Sequence, residues 1–554
     1  MSLSDLENLL GDKLPRDRDG LNQVFAYVKG DVESLDEQTD TVNVEVKDSN
    51  HPDIWSVEGV ARALRGFLGE ASRKKLTLAG PSKLDVIVDK RLKNIRPYIA
   101  CAVVTNLHPS EDALKSWIGL QDKMDQTYGR KRKRSSIGFY QADLVASPIR
   151  YTVSKPDAAF FIPLGSTRKM SLREILKEHE KGREYGPIIS SFDEWPLLVD
   201  GRDQILSLPP VINSNDLGRV TTQTKNVLVE VTGTSLETVH NTLKIVVTCL
   251  SERGGSVHTC VQNYQYGPSR RMVTPDLKPI ERTMSLSYAN KTLGTSLSSK
   301  ATSVYLKKAG YAVSRIAGDT IKVLVPCYRL DIMHQIDIVE DIGIAMDLNK
   351  LTPEWPEVWT PGGLDPTTDR FEALAEVMVG LGYQEILNYT LTDRARLEEK
   401  TRTKPASLVE LKNPKVTIYT VLRNWLLPSI LEFLSNNTHV DYPQKVFEVG
   451  ACELREKDSE SPVTTRTKLT AATVHASAGF TEIRAALDAL LSSAGIDFSV
   501  EPAKHPTFLD GRFGQVVSNG KNVGFLGEVH PEVIRSWGLG LPVAAFELDL
   551  LAAL

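Results

Sequence analysis

The stretch Pro326-Cys327-Tyr328-Arg329-Leu330-Asp331-Ile332-Met333-His334-Gln335-Ile336-Asp337-Ile338-Val339-Glu340-Asp341 decides how the rest of the chain is read. Pro326 ends the strand-like run Ile321 to Val325, and the pattern after His334 changes to helical spacing. Ile336, Val339, Ile342 and Met346 are expected on one helix face. Asp337, Glu340 and Asp341, at i, i+3 and i+4, share the other. Three like charges so close repel one another, and a cation relieves that cost. Asp331, at the helix entrance, offers a fourth hard oxygen donor, which suits Mg²⁺ keeping some of its waters. The same spacing also describes a solvated acidic helix face with Asp331 as a cap. A metal-dependent hydrolase centred on these acids would need a base nearby, and His334, expected at the surface, is the only histidine within reach.

Outward from this stretch the chain divides into segments. Ser298 to Ala309 reads as a helix stopped by Gly310 at C′. Pro268 to Pro279 is Pro-rich and reads as a linker. Pro353, Pro356, Pro361, Gly362, Gly363 and Pro366 mark a second one. Toward the N-terminus, Thr41 to Val46 alternates as a strand. Val57 to Leu68 has helical spacing, with Arg62 and Arg65 expected on its polar side. Between residues 86 and 266 short apolar strands mix with helices near Leu114 to Met124 and Leu236 to Leu250. The last ~190 residues alternate helix and strand, with strands expected at Gln384 to Leu391, Lys445 to Val449, Lys468 to Val474 and Gly514 to Val517. The texture is α+β and multidomain. Boundaries are expected at 1–85, 86–270, 271–355 and 356–554.

Composition bounds the function. The chain has 554 residues, with 66 Lys plus Arg against 70 Asp plus Glu, a net charge of −4. At roughly 100–200 residues per domain that is about three to five domains. Charged residues at 25% and hydrophobic residues at 41% exclude a disordered or collagen-like chain. A slightly acidic whole excludes nucleic-acid binding by bulk charge, so any such contact must be local. Arg130-Lys131-Arg132-Lys133-Arg134 is one such patch, able to meet RNA phosphates or to stand as a solvated loop. Five scattered cysteines with no Cys-x-x-Cys point to reduced, buried thiols in a reducing compartment. No secretory signal and no apolar run of membrane-spanning length is evident, so a cytoplasmic protein without a membrane is expected.

These residues, taken together, resemble the β subunit of phenylalanyl-tRNA synthetase in its shorter archaeal and eukaryotic form. Asn50-His51-Pro52-Asp53 through Gly66 looks like the family's N-terminal signature, with His51 where the resemblance leads us to expect Arg. Asp331, Asp337, Glu340 and Asp341 match the acids that hold Mg²⁺ in the family's B5 domain. Gly382-Tyr383-Gln384-Glu385, Leu411-Lys412-Asn413-Pro414, Leu422-Arg423 with Leu427-Pro428, Phe447-Glu448-Val449-Gly450 and Gly527-Glu528-Val529-His530-Pro531 look like its catalytic-like module.

The resemblance implies winged-helix-like (DNA-binding-like) B1 and B5 domains, a B3/B4 editing domain and a C-terminal class II synthetase-like antiparallel sheet with helices. It implies an α-subunit partner in an (αβ)₂ heterotetramer, tRNA(Phe), and ATP as a substrate of the complex, with synthesis carried out on the α subunit. No Gly-x-x-x-x-Gly-Lys loop is present. Arg423, the nearest candidate for ATP, reads equally as a packing or salt-bridge arginine. The chain's end soon after Asp549 leads us to expect no further anticodon-binding domain. In the editing domain the resemblance places Leu198, Ser207, Glu230 and Thr232 at a pocket that hydrolyses tyrosyl-tRNA, with Glu230 accepting from the tyrosine hydroxyl. Some relatives have Asp there, and Glu reaches one methylene farther. Each Ser or Thr reads as readily as a strand-edge hydroxyl. The rival is a non-enzymatic RNA-binding or scaffolding protein built from the same modules.

Overall fold

Val227-Leu-Val-Glu-Val-Thr-Gly233 is β-branched at alternate positions and forms a strand buried at every residue. A strand buried on both faces must lie inside a sheet. It runs antiparallel between Tyr98–Thr105 and Ser135–Gln141. These belong to a ten-stranded mixed sheet. From the edge strand Ser135–Gln141 the order continues through Val227–Gly233, Tyr98–Thr105, Ser256–Tyr264, Leu78–Val88, Ile149–Ser154, Trp195–Val199 and Ile205–Leu208 to Ile212–Asn213. Helices Glu111–Gln126 and Leu236–Glu252 cover one face, where Trp117, Leu120, Leu243 and Val246 pack on Val229 and Val231.

The computed structural model describes residues 1–47, 50–69, 76–267, 270–355, 360–404, 406–456 and 461–553. Two compact units divide it, Met1–Glu354 and Trp355–Leu554. The first also holds an N-terminal hairpin, Gly30–Asp36 with Thr41–Val46, packed by helices Leu3–Leu10, Arg18–Phe25 and Val57–Phe67. A three-stranded sheet, Ile280–Ser285, Thr320–Val325 and Ala312–Ala317, is packed by helices that include Ser299–Lys308 and Gln335–Met346. The second unit is a seven-stranded sheet, antiparallel except where Gln384–Glu385 pairs with Gln444–Arg455. Helices Pro366–Gly380 and Phe480–Ser493 pack on its core.

Several expectations change. The boundary after residue 85 falls inside strand Leu78–Val88. The expected linker after 268 contains strand Arg271–Thr274, which pairs with Ser256–Tyr264 and so belongs to the ten-stranded sheet. Pro268 and Pro356 lie outside the described residues. Pro366 starts a helix at N1 instead of extending the linker, because its missing N–H costs nothing there. The strand expected over Gln384 to Leu391 is broken. Gln384–Glu385 and Leu391–Thr392 pair in different sheets, and Leu387 and Tyr389 between them stand 88% and 78% exposed.

On helix Gln335–Met346 the buried face is Ile338, Val339, Ile342 and Ala345, while Ile336 points outward. Arg62 is buried, with its guanidinium on Asp53 and 4.1 Å from the centre of the Tyr328 ring. The helix that carries it is enclosed on both sides, so spacing alone misplaced this residue. All five cysteines are buried and free. Among the described residues no helix is long and apolar enough to cross a membrane.

Candidate functional site

The sheet curls until the two ends of its strand order meet. Tyr140 on strand Ser135–Gln141 reaches Ser207 and Asn213 on the opposite end strands, and the amide of Asn213 donates to the Phe139 carbonyl at 3.3 Å. Against this junction opens a cavity of about 520 Å³. Its apolar walls include Leu114, Trp117, Ile118 and Phe139, its floor has Ser207, Asn213 and Glu230, and His179 and Lys181 line it too.

Glu230 sits opposite Gly138 in register and is 3% exposed. Its Oε2 accepts from the Tyr140 hydroxyl at 3.0 Å, and Oε1 is buried with no close hydrogen-bond partner among the described residues. Burial pushes this carboxyl up to about 7, against the opposing pulls of the Tyr140 hydrogen bond, the Arg96 cation and the Thr232 hydroxyl. An acid balanced near neutral pH in a cavity lining can take a hydroxyl donor.

Of the four residues expected here, Ser207 and Glu230 line the cavity and Leu198 and Thr232 do not. Leu198 pairs with Ser207 in register, but its side chain is buried in the apolar cluster with Tyr140 and Leu206. Thr232 is fully buried and held by Arg96, whose Nε donates to its Oγ1 at 3.0 Å and whose guanidinium also donates to its carbonyl at 2.7 Å. The remaining Arg96 donors go to Ser136 Oγ and the Arg132 carbonyl. Sequence reasoning missed Tyr140 and Arg96. For Tyr140 the one available signal was a polar atom inside an otherwise apolar strand run, and for Arg96, just before strand Tyr98–Thr105, there was none.

The basic run is not uniform. Arg130, Lys131, Lys133 and Arg134 are exposed, whereas the Arg132 side chain is 11% exposed and committed inside. It pairs with Asp125 at 2.9 Å, donates to the Pro210 and Val211 carbonyls, and lies 4.1 Å over the Tyr185 ring. Arg130, Lys131 and Arg132 all have positive φ, 51°, 53° and 62°. This left-handed turn costs L-residues about 1–2 kcal/mol each. The turn aims Arg132 inward, so Arg132 is a structural residue of the cavity wall and not a free tRNA-contacting cation.

The four acids of the opening stretch line one cleft of about 200 Å³ together with Lys29, His51, Asp53 and Arg329. Arg329 stands between two of them, 2.6 Å from Asp331 and 2.8 Å from Asp341. Asp337 Oδ2 accepts the Met333 and His334 N–H groups at the helix start, while His334 itself is exposed. Glu340 meets Lys29 at 2.8 Å.

The donor chemistry fits a hard cation, since all four offer carboxylate oxygen. The arrangement fits only a hydrated one. Arg329 fills the space where Asp331 and Asp341 would share an ion, and the Tyr311 hydroxyl also donates to Asp341. Within those residues the ligand atoms that converge to 4.8 Å are those of His51, Asp53 and Asp331. His51 Nε2 lies 2.9 Å from Asp53 and 3.9 Å from Asp331. Burial disfavours its imidazolium, but the two carboxylates outweigh this and raise its pKa, so His51 can supply the cation that Arg was expected to bring.

In the second unit Arg423 is 2% exposed and paired with Glu448 at 2.7 Å, which Asn388 also holds. It is a buried salt-bridge arginine.

Comparison with known proteins places these features in context. Residues 282–347 match the family profile described as the tRNA synthetase B5 domain. Residues 351–550 match that of the phenylalanyl tRNA synthetase beta chain CLM domain. The phenylalanine–tRNA ligase beta subunit of Pyrococcus furiosus is 40% identical over 549 residues, covering 99% of this chain and 98% of its own. That of Methanosphaera stadtmanae is 34% identical, covering 98% of each. Among solved structures, an N-terminal fragment of the phenylalanyl-tRNA synthetase beta-subunit from Pyrococcus horikoshii is 40% identical with a TM-score of 0.59. It covers 62% of this chain and 98% of the fragment.

Proposed function

Because the chain belongs to the phenylalanine–tRNA ligase β-subunit family, and is thereby a component of an aminoacyl-tRNA ligase, we propose that it works with an α subunit to attach phenylalanine to tRNA(Phe) at the expense of ATP, and that its cavity hydrolyses tyrosyl-tRNA(Phe) formed in error. The observation that carries the editing role is Glu230 in the cavity lining, a buried carboxyl whose Oε1 has no close hydrogen-bond partner among the described residues. A synthetic pocket shaped for a phenyl ring rejects one extra hydroxyl by only ~10². A second pocket that offers a buried acceptor penalises phenylalanine, which leaves that acceptor unpaired. Water then adds across the ester, releasing tyrosine and the free 3′ end.

An exposed apolar patch on the second unit supports an α-subunit contact. Leu387, Tyr389, Leu411, Val416 and Ile418 are all at least 41% exposed, and the Tyr389 and Tyr419 rings lie 6.0 Å apart. An (αβ)₂ assembly in the cytoplasm is the form we propose. Arg423, buried against Glu448, is not available to ATP, which supports synthesis on the α subunit. The hairpin with three helices and the three-stranded sheet with its helices support reading B1 and B5 as winged-helix-like. Arg130, Lys131, Lys133 and Arg134 are proposed tRNA contacts. Changing them to Gln should flatten the salt dependence of tRNA binding, and an unchanged slope would remove them from the interface. A hydrated Mg²⁺ at Asp331, Asp337, Glu340 and Asp341 is proposed to neutralise charge in the cleft, with no part in bond making.

The test is co-expression with the α subunit. The complex should charge tRNA(Phe) with phenylalanine and deacylate tyrosyl-tRNA(Phe), and Glu230→Ala should lose the second activity alone. Absence of a complex and of charging would reject the ligase role. Equal deacylation by wild type and variant would reject the cavity.

A further inference from the structure

Tyr140 is where the wrapped sheet closes. It is fully buried, and its hydroxyl lies 2.9 Å from Ser207 Oγ, 3.2 Å from Asn213 Oδ1 and 3.0 Å from Glu230 Oε2. A phenol carries one proton, so it donates to one of these at a time. An ionised carboxylate is the strongest acceptor of the three and takes that proton, while Ser207 can donate into the phenol oxygen. Oε1 is then the Glu230 oxygen with no close hydrogen-bond partner among the described residues, with the Thr232 hydroxyl as a further neighbour of the carboxyl.

Gly138 supplies a second observation. A Cβ there would lie 2.5 Å from the Tyr140 hydroxyl and 2.6 Å from Glu230 Oε2, so the approach of the two side chains depends on the missing methyl. Closing a sheet edge with apolar packing alone would need neither that gap nor a hydroxyl. The ring itself already packs with Leu206 and Leu228.

We infer that Tyr140 is a positioning residue for hydroxyl recognition: by holding Oε2 of Glu230 and bracing it against Ser207 and Asn213, it leaves Oε1 as the single acceptor offered to a phenolic hydroxyl in the cavity. The inference rests on the editing reading of this cavity. It assigns the selectivity for tyrosine over phenylalanine to the pair Tyr140–Glu230 and not to Glu230 alone. The ester bond is hydrolysed elsewhere in the substrate, so Tyr140 acts on recognition and not on the reacting atoms.

Tyr140→Phe removes one oxygen and keeps the ring. In the αβ complex we expect the ratio of kcat/KM for tyrosyl-tRNA(Phe) over phenylalanyl-tRNA(Phe) deacylation to fall about ten-fold. The loss should lie mainly in KM for the tyrosyl substrate. The pH at which selectivity is half-maximal should also move upward, because the lost hydrogen bond favours ionised Glu230. The other groups facing that carboxyl include Arg96, the Thr232 hydroxyl, Asp125, Tyr151 and Cys101, and they are unchanged in the variant. Gly138→Ala, which displaces the pair without removing it, should lower the ratio in the same direction.

Glu230→Ala is measured alongside. If it leaves tyrosyl-tRNA deacylation intact, the cavity reading fails and this inference with it. If it abolishes deacylation while Tyr140→Phe and Gly138→Ala keep the wild-type ratio and pH midpoint, this inference alone is overturned. A drop in melting temperature with both substrates slowed equally, and no change in ratio, also overturns it, since that is what a merely structural tyrosine would give. Should Tyr140→Phe fail to fold, the ratio in Gly138→Ala decides.

Discussion

Glu230 and Asp53 are both buried acids of the first unit, 3% and 4% exposed, yet their surroundings differ. Asp53 faces two cations, His51 at 2.9 Å and Arg62 at 2.9 Å. Burial opposes its charge, but these partners hold it well below the usual carboxylate range. Glu230 faces neutral hydroxyls, Tyr140 at 3.0 Å and Thr232, while the nearby Arg96 spends its donors on Thr232, Ser136 and a carbonyl. Burial therefore wins, and the carboxyl rises to about 7. Equal burial gives opposite chemistry because the supply of cations differs. The paired acids join segments far apart in the chain, as residues 51–62 and 329–341 are joined around the cleft. The acid without a cation is the one proposed to meet a ligand.

The strongest way to break this comparison is to withdraw the cation from the paired side. Arg329→Ala leaves Asp331 and Asp341 without their shared guanidinium in a site where the Arg329 side chain is 9% exposed. Removing one partner of a buried pair costs about 3–5 kcal/mol. A fall of that order in the unfolding free energy from urea titration of the full chain is expected. A loss below about 1 kcal/mol would mean that the cleft does not depend on this arginine.

On the unpaired side the sign reverses. The Glu230 carboxyl moves from 4.5 to about 7 on folding. Between those values the folded protein holds a proton that the unfolded chain has lost, so stability falls as pH rises through the window, by up to ~3 kcal/mol. Glu230→Gln keeps the shape and removes the charge. It should be more stable than the parent at pH 8 and no more stable at or below pH 4.5. Melting temperatures at the two pH values check this. An advantage equal at both would show that desolvated charge is not what raises Glu230.

Part of this was readable in the sequence. Alternation along Val227 to Gly233 marks a strand, and a period of two puts Glu230 and Thr232 on one face. The acids from Asp331 to Asp341 do enter one cleft. What could not be read is which partner each side chain meets. Tyr140 and Ser207 are 67 positions apart and touch only because the sheet wraps onto itself. Glu230 and Thr232 share a face, but Arg96 covers Thr232, and a lone arginine before a strand carries no sign of that. Arg132 has four basic neighbours in sequence and is the one turned inward, by a left-handed turn that no propensity favours. Ile336 failed the expected face because the buried stripe follows Ile338, Val339 and Ile342, one turn of the same pattern read from a different start.

The smallest effect on stability separates the two roles inside the cleft itself. Glu340 is 57% exposed at its side chain and pairs with Lys29 at 2.8 Å. An exposed pair of this kind contributes about 0–1 kcal/mol, so Glu340→Gln should leave the melting temperature almost unchanged. If the cleft takes up a hydrated Mg²⁺, the same substitution removes one of its charged oxygens, and calorimetric titration of the αβ complex with Mg²⁺ should show a weaker or missing site. Stability and cation uptake then respond independently, with Glu340 belonging to the second and Asp53 to the first. A large fall in melting temperature would instead make Glu340 one more acid that joins segments. Unchanged Mg²⁺ uptake would move the cation away from this helix, and His51, Asp53 and Asp331, whose ligand atoms already converge, become the next residues to substitute.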